Sequence, residues 1–123
     1  MLTIDVEKTE DVAVVRCTGR IVRGEAIHTL KHTVISERDT RIVVLDLSEV
    51  ETVDAGGLAA LVSLHHWTCT RGIQLKLVNP SHFVREMLQR TGLDKVFEIS
   101  SFQDALLVLG GGHRTELRQA FCW

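Results

Sequence analysis

The stretch VVLDLSEVETVDAGGLAAL, residues 43–61, decides the fold of this 123-residue chain. It begins within a nearly continuous apolar run over residues 41–47, which is typical of a central strand covered on both faces. Asp54 then precedes two glycines and a long apolar segment, and this order predicts a helix with the aspartate as its N-cap. A buried strand that leads directly into a capped helix indicates an α/β domain.

The sequence on either side of this stretch extends the same pattern. Alternation of apolar and polar residues predicts strands at 2–7 and 12–18, paired as a hairpin, with Gly19 ending the second strand. Apolar residues at helical spacing predict helices at 25–38, 58–71, 81–90 and 101–109, and two more strands are expected at 73–78 and 96–99. This order predicts a single α/β domain: a mixed β-sheet whose later strands are parallel, with about four α-helices.

Composition and charge exclude several classes of protein. The chain is 45% hydrophobic and 24% charged, an ordinary balance for a globular domain rather than a disordered or fibrous protein. The formal net charge of −2 lacks the basic excess of a nucleic-acid binder. No apolar run approaches the roughly 20 residues of a membrane span, and the first residues do not resemble a signal peptide. We therefore expect a cytoplasmic protein without membrane insertion or nucleic acid.

The histidines raise the question of a metal site. His28 and His32 are four residues apart on a predicted helix, a spacing that places two ligands on one face. Since no nearby Asp, Glu or Cys completes a recognisable ligand set, a solvated helix face is the better interpretation. No nucleophile–base pair or carboxylate pair occurs at a readable spacing either. We expect no metal, no cofactor, no catalytic residues and no enzymatic activity.

The second predicted helix has an unusual side opposite its apolar stripe. A helix packed on one side is normally polar on the other. Here the opposite side consists of small or weakly polar residues without formal charge: Ala59, Ser63, His66 and Thr70. Small uncharged residues allow another backbone to approach closely, so this face is a candidate for partner binding. The alternative is a helix that is merely more buried than average.

The start of that helix is a second candidate feature. Asp54 satisfies one of the backbone N–H groups that the first turn leaves without a partner. Gly56 and Gly57 follow, although glycine costs about 0.8–1 kcal/mol relative to alanine inside a helix. Bare backbone is therefore expected to serve a tight strand-to-helix turn or contact with a ligand or partner. Exposed N–H groups at a helix start also favour anions, which Asp54 would partly oppose.

The stretch at residues 43–61 resembles the signature of the STAS domain, the fold of bacterial anti-sigma factor antagonists. The resemblance rests on the hydrophobic strand, the Asp-Leu-Ser end, the valine-rich link and the Asp-x-x-Gly-Leu helix start. It extends to residues 14–19, to Leu-Lys-Leu-Val-Asn-Pro at 75–80 and to the stretch from Leu88 to Phe97. It covers about residues 2–109, which we assign to the domain, and leaves 110–123 as a C-terminal tail outside the pattern.

The resemblance implies a regulator without chemistry of its own. Such domains bind an anti-sigma factor that is also a serine kinase, and the kinase phosphorylates a Ser or Thr directly after the aspartate at the start of the second helix. Here that position is Ala55, which has no hydroxyl, so phosphorylation there is excluded. The loop after the second strand also departs from the family, because Arg20 and Arg23 make it basic.

The residues expected to bind a partner lie at the helix start, on its uncharged side and in the basic loop. They are Asp54, Ala55, Gly56, Gly57, Leu58, Ala59, Ser63, Arg20 and Arg23. The expected partner is an anti-sigma factor of the serine-kinase type or a related signalling protein.

Two other functions stay open. One is an accessory subunit bound to the ATPase of a lipid or solute transporter, which would use the same helix. The other is a small-molecule or nucleotide binder that uses the helix start with the two arginines. The apolar end of the tail, Phe-Cys-Trp, also makes a homodimer possible.

Overall fold

The computed structural model describes residues 1–97 and the backbone of residues 99–100. This part of the chain is built around a five-stranded mixed sheet. The strands are β1 (Leu2–Thr9), β2 (Val12–Ile21), β3 (Ile42–Val53), β4 (Gln74–Val78) and β5 (Ile99–Ser100). The described helices are α1 (Glu25–Ile35), α2 (Ala55–Thr70), α3 (His82–Arg90) and a 3-10 helix at Leu93–Lys95.

The strand order in the sheet is the order in the sequence, β1-β2-β3-β4-β5. β1 and β2 pair antiparallel as a hairpin, and every later pair is parallel. Each parallel step requires a crossover connection, and α1, α2 and α3 supply the helices of these crossovers. The predicted mixed sheet with parallel later strands is confirmed.

The core lies between the sheet and the helices. Alternate residues of the central strands, such as Val43 and Leu45 in β3, are fully buried together with Leu30 of α1 and Leu61 of α2. The intervening residues point to the other face of the sheet, where a smaller buried cluster contains Ile42, Val44 and Val78. The central strand is thus covered on both faces, as its continuous apolar sequence predicts.

Three strands are longer than their sequence pattern indicates, and β1 runs to Thr9 rather than to the predicted residue 7. Gly19 was expected to end β2, but the strand continues through it to Ile21, so that prediction is wrong. Gly19 has φ of 117°, and a side chain there would overlap the carbonyl oxygen of Met1. Glycine therefore allows β1 to begin beside a continuous β2 instead of breaking it. β3 likewise extends from the predicted end at 47 to Val53, because its last residues pair with the end of β2.

The helix boundaries differ from the predictions in both directions. α1 ends at Ile35 rather than 38, and Ser36 donates from its hydroxyl to the carbonyl of His32 at 2.7 Å. α2 begins at Ala55, three residues before the predicted start, because both glycines belong to its first turn. In the described part of the chain, no helix has the length and apolar character required to cross a membrane.

The predicted strand at 96–99 is wrong over its first two residues. Gly92 adopts a left-handed conformation with φ of 75°, and a 3-10 turn follows in which the N–H groups of Val96 and Phe97 both donate to the carbonyl of Leu93. Phe97 is buried in the core, where its ring lies edge-on to His65 with centroids 5.3 Å apart. The predicted helix at 101–109 and the tail at 110–123 lie outside the described residues.

Candidate functional site

The first turn of α2 is positioned by the carboxylate of Asp54. Its Oδ1 accepts a hydrogen bond from the N–H of Gly57 at 2.8 Å, which is the expected N-cap contact. Its Oδ2 accepts from the backbone N–H of Arg23 at 3.0 Å, in the loop between β2 and α1. These two N–H groups stabilise the ionised form and hold the pKa of Asp54 below its ordinary value, with a further contribution from the charge of Arg23. Asp54 therefore joins the two segments that border the candidate site.

The two glycines of the first turn have different surroundings. Gly57 is buried, and a Cβ there would overlap the carbonyl oxygen of Ile21 and lie 2.8 Å from Cγ1 of Val53. Its missing side chain is thus required for the close approach of α2 to the end of β2. Gly56 is half-buried, and a Cβ there would lie 3.3 Å from both the Cβ of Arg23 and the Cδ1 of Ile27. Backbone without a side chain was expected to serve either a tight turn or contact with a ligand or partner. The tight turn accounts for Gly57.

The side of α2 that faces away from the core is exposed along the whole helix. We call this the α2 outer face, and its residues are Ala55, Ala59, Ser63, His66 and Thr70. The stretch Ala55–Thr70 contains no Asp, Glu, Lys or Arg. The side chains at 58 and 61 are buried instead, at 7% and 0% exposure. The helix is more buried than α1 or α3, as the alternative interpretation expects, yet its outer face is exposed.

α1 packs beside α2, and the residues along this contact adjoin the outer face. Ile27 of α1 lies against Gly56, and Lys31 follows one turn later on the same side of α1. On α2, Ser63 and Trp67 follow Gly56 at seven and eleven residues, which places them on the side that faces α1. We call these residues the α1–α2 groove. Ile27 and Lys31 are not among the predicted site residues, although their spacing of four residues indicates a shared helix face.

The structure brings some of the predicted site residues together and separates others. Residues 54–57, Ala59, Ser63 and Arg23 lie at the start of α2 or along its accessible sides. Leu58 points into the core. Arg20 is exposed but adjoins Ile21, whose buried side chain faces the helices, so Arg20 points to the other face of the sheet. Of the two arginines, only Arg23 adjoins α2.

The described residues include no group of three or more His, Cys, Asp or Glu side chains with the geometry to hold a metal ion. The pair His28 and His32 lies on the exposed side of α1. The site offers an uncharged helix face, a fixed loop and three cationic side chains at its border, Arg23, Lys31 and Arg71. Arg71 follows the last residue of α2, and its guanidinium lies 4.5 Å from the centroid of the Trp67 ring. Such a surface suits contact with another macromolecule.

The model of the STAS domain family matches residues 3–105, and the chain belongs to this family. An anti-sigma factor antagonist from Mycobacterium paratuberculosis is 26% identical over 88% of this chain and 93% of that chain, with a TM-score of 0.71. The anti-sigma factor antagonist SpoIIAA in its unphosphorylated form is 17% identical over 89% of this chain and 97% of that chain, with a TM-score of 0.74.

A member of a transporter family has the same fold. A sulfate transporter family protein from Wolinella succinogenes is 20% identical over 88% of this chain and 87% of that chain, with a TM-score of 0.70. The resemblance noted from residues 43–61 is thereby confirmed at the level of the family, and the chain is similar to anti-sigma factor antagonists.

Proposed function

We propose that this chain is a non-enzymatic, protein-binding regulator of the anti-sigma factor antagonist kind, which docks its partner through the start and outer face of α2. The observation that supports this most directly is the exposed, charge-free outer face of a helix whose first turn is fixed by Asp54. The proposed partner is an anti-sigma factor of the serine-kinase type or a related signalling protein.

The second part of the proposal concerns Ala55. This residue is exposed and is the first residue of α2, directly after the N-cap. A phosphoryl group at this position would add about −1.5 to −2 charges beside the carboxylate of Asp54, at the centre of the docking surface. Alanine cannot accept one, so we propose that the chain stays in its binding-competent state regardless of kinase activity.

The test compares Ala55→Asp with Ala55→Asn in a pull-down from the source organism, with bound proteins identified by mass spectrometry. A carboxylate in the first turn of a helix is favourable for folding, and circular dichroism of both variants checks that a change in binding does not reflect loss of structure. We expect the aspartate variant to lose the partner and the asparagine variant, which is of the same size without charge, to retain it. Retention of the same protein by both variants would show that the start of α2 lies outside the interface.

A second candidate function is supported by the similarity to the transporter family protein from Wolinella succinogenes. In this case the chain is an accessory subunit of a lipid or solute transporter and contacts its ATPase through the same helix. The pull-down separates the two, because the retained protein is a kinase-like anti-sigma factor in one case and a transporter ATPase in the other.

A further inference from the structure

We infer that the partner presents carboxylate side chains to Arg23 and Lys31, so that the docking surface of this acidic chain is locally basic. The inference rests on the proposed docking through α2 and specifies the chemistry of the partner. It begins from the absence of formal charge in Ala55–Thr70. Because α2 itself contributes none, the charge of the surface is set by the residues that border it.

Arg23 borders the first turn of α2. Its Cβ lies against Gly56, and its backbone N–H is held by Asp54, so the side chain starts from a fixed position. The residue is exposed, and its guanidinium forms no ion pair with any described residue. Both oxygens of Asp54 already accept backbone hydrogen bonds. The donors of the guanidinium are therefore available to a carboxylate outside the chain.

Lys31 places a second cation one helical turn further along the groove. It lies four residues after Ile27, which contacts the first turn of α2, and so projects from the same side of α1. Lys31 is half-buried and forms no ion pair within the described part of the chain. By contrast, Lys8 pairs with Glu37 at 3.6 Å, and Arg16 pairs with Glu7 at 2.8 Å.

The acidic residues near the groove do not cancel these charges. Glu25 begins α1, but it precedes Ile27 by two positions, which is about 200° around a helix, so it points away from α2. The carboxylate of Asp54 stays negatively charged and offsets part of the charge of Arg23, although the two side chains form no ion pair. Arg23 and Lys31, together with Arg71 at the C-terminal end of α2, thus lie beside an uncharged face, in a chain whose formal net charge is −2. A carboxylate-bearing protein surface complements this arrangement, and a basic one opposes it.

The experiment uses the protein that wild type retains in the pull-down and Ala55→Asp loses, once that protein is identified and purified. Its Kd is measured for wild type, Arg23→Glu, Lys31→Glu and the control Arg38→Glu, at low and physiological salt. Arg38 is exposed in the turn after α1, at the opposite end of that helix from the start of α2. Circular dichroism establishes that each variant is folded.

We expect each of the reversals at 23 and 31 to weaken binding about tenfold or more at low salt, since like charges then face each other across the interface. The control is expected to change Kd less than either reversal, and most clearly so at physiological salt, where the Debye length shortens to about 8 Å. A carboxylate-to-lysine change in the partner should restore affinity for one of the two weakened variants.

Two results would overturn the inference. If Arg23→Glu and Lys31→Glu bind as wild type while Ala55→Asp does not, the docking proposal stands and the acidic partner is wrong. If no protein distinguishes wild type from Ala55→Asp, the docking proposal fails and the inference fails with it.

Discussion

Asp54 and the backbone of Arg23 are joined by a 3.0 Å hydrogen bond across 31 residues of sequence. The bond fixes the loop that precedes α1 to the start of α2, while the other carboxylate oxygen caps α2 through Gly57. One side chain thus determines the relative position of two of the segments that border the docking surface. Loss of either bond is expected to affect both stability and the surface.

Substitution of Asp54 separates its two hydrogen bonds. In Asp54→Asn one side-chain oxygen remains to cap α2, but the amide group that replaces the other oxygen cannot accept from Arg23. Asp54→Ala removes both acceptors. We expect the melting temperature to fall in the order wild type, asparagine variant, alanine variant. Equal stability of the asparagine variant and wild type would show that the link to Arg23 contributes nothing.

The same carboxylate makes stability depend on pH. The two backbone N–H groups lower the pKa of Asp54 below its ordinary value of 3.8, so its contribution to stability is present above that value. The contribution is lost as pH falls through the lower pKa of the folded state. Urea unfolding at neutral pH and at about pH 3 should therefore show that the difference between wild type and Asp54→Asn shrinks in acid. A difference independent of pH would contradict this assignment.

Ser81 connects α3 to the sheet in a comparable way. Its hydroxyl donates to the carbonyl of Val50 at 2.7 Å and accepts from the N–H of Val84 at 3.5 Å, which caps α3. Ser81→Ala is expected to reduce the free energy of unfolding by about 1–2 kcal/mol, since it removes a cap and leaves a carbonyl unpaired. Ser81→Thr keeps the hydroxyl and is the matched control. An alanine variant as stable as the threonine variant would argue against both bonds.

Cys17 is predicted to be chemically inert in the folded protein. Its side chain is 1% exposed, and burial raises the pKa of its thiol to about 12. Because the thiolate is the reactive form, alkylation by iodoacetamide at pH 8 should leave Cys17 unmodified until the protein is unfolded in urea. Peptide mass spectrometry reads this residue separately from the other cysteines. Rapid labelling of Cys17 without denaturant would contradict its burial in a stable core.

Much of the fold follows from local sequence patterns. The continuous apolar run at residues 41–47 predicts the central strand, and the Asp54 cap predicts where α2 is anchored. The patterns fail where a distant contact decides the local structure. Gly19 resembles a strand end, yet the strand continues because the backbone of Met1 requires a residue without a side chain beside it. Phe97 fits a strand pattern, but it is buried against His65 in a turn.

In the candidate site, too, local patterns predict some features and fail for those that depend on distant contacts. The uncharged face of α2 is readable from helical spacing, because all of its residues lie on one helix. The contact between Asp54 and Arg23 is not, because it joins residues far apart in the sequence. The different positions of Arg20 and Arg23 could not be predicted from local spacing either. Only the strand register shows that Arg20 points to the opposite face of the sheet.

Gly57 and Gly56 are adjacent in the sequence but are expected to respond differently to alanine. At Gly57 the new methyl group would overlap the carbonyl oxygen of Ile21, a backbone atom that cannot rotate away. We expect Gly57→Ala to destabilise the protein by about 1–3 kcal/mol through overpacking, despite the gain of up to about 1 kcal/mol in helix propensity.

Gly56→Ala is the matched control, because it has the same gain in propensity without a backbone clash. Its methyl group would lie 3.3 Å from the Cβ of Arg23, the Oδ1 of Asp54 and the Cδ1 of Ile27, so these side-chain atoms need to shift by only a few tenths of an ångström. We expect its free energy of unfolding in urea to stay within about 1 kcal/mol of wild type. Equal stability of the two variants would show that α2 does not depend on close approach to β2.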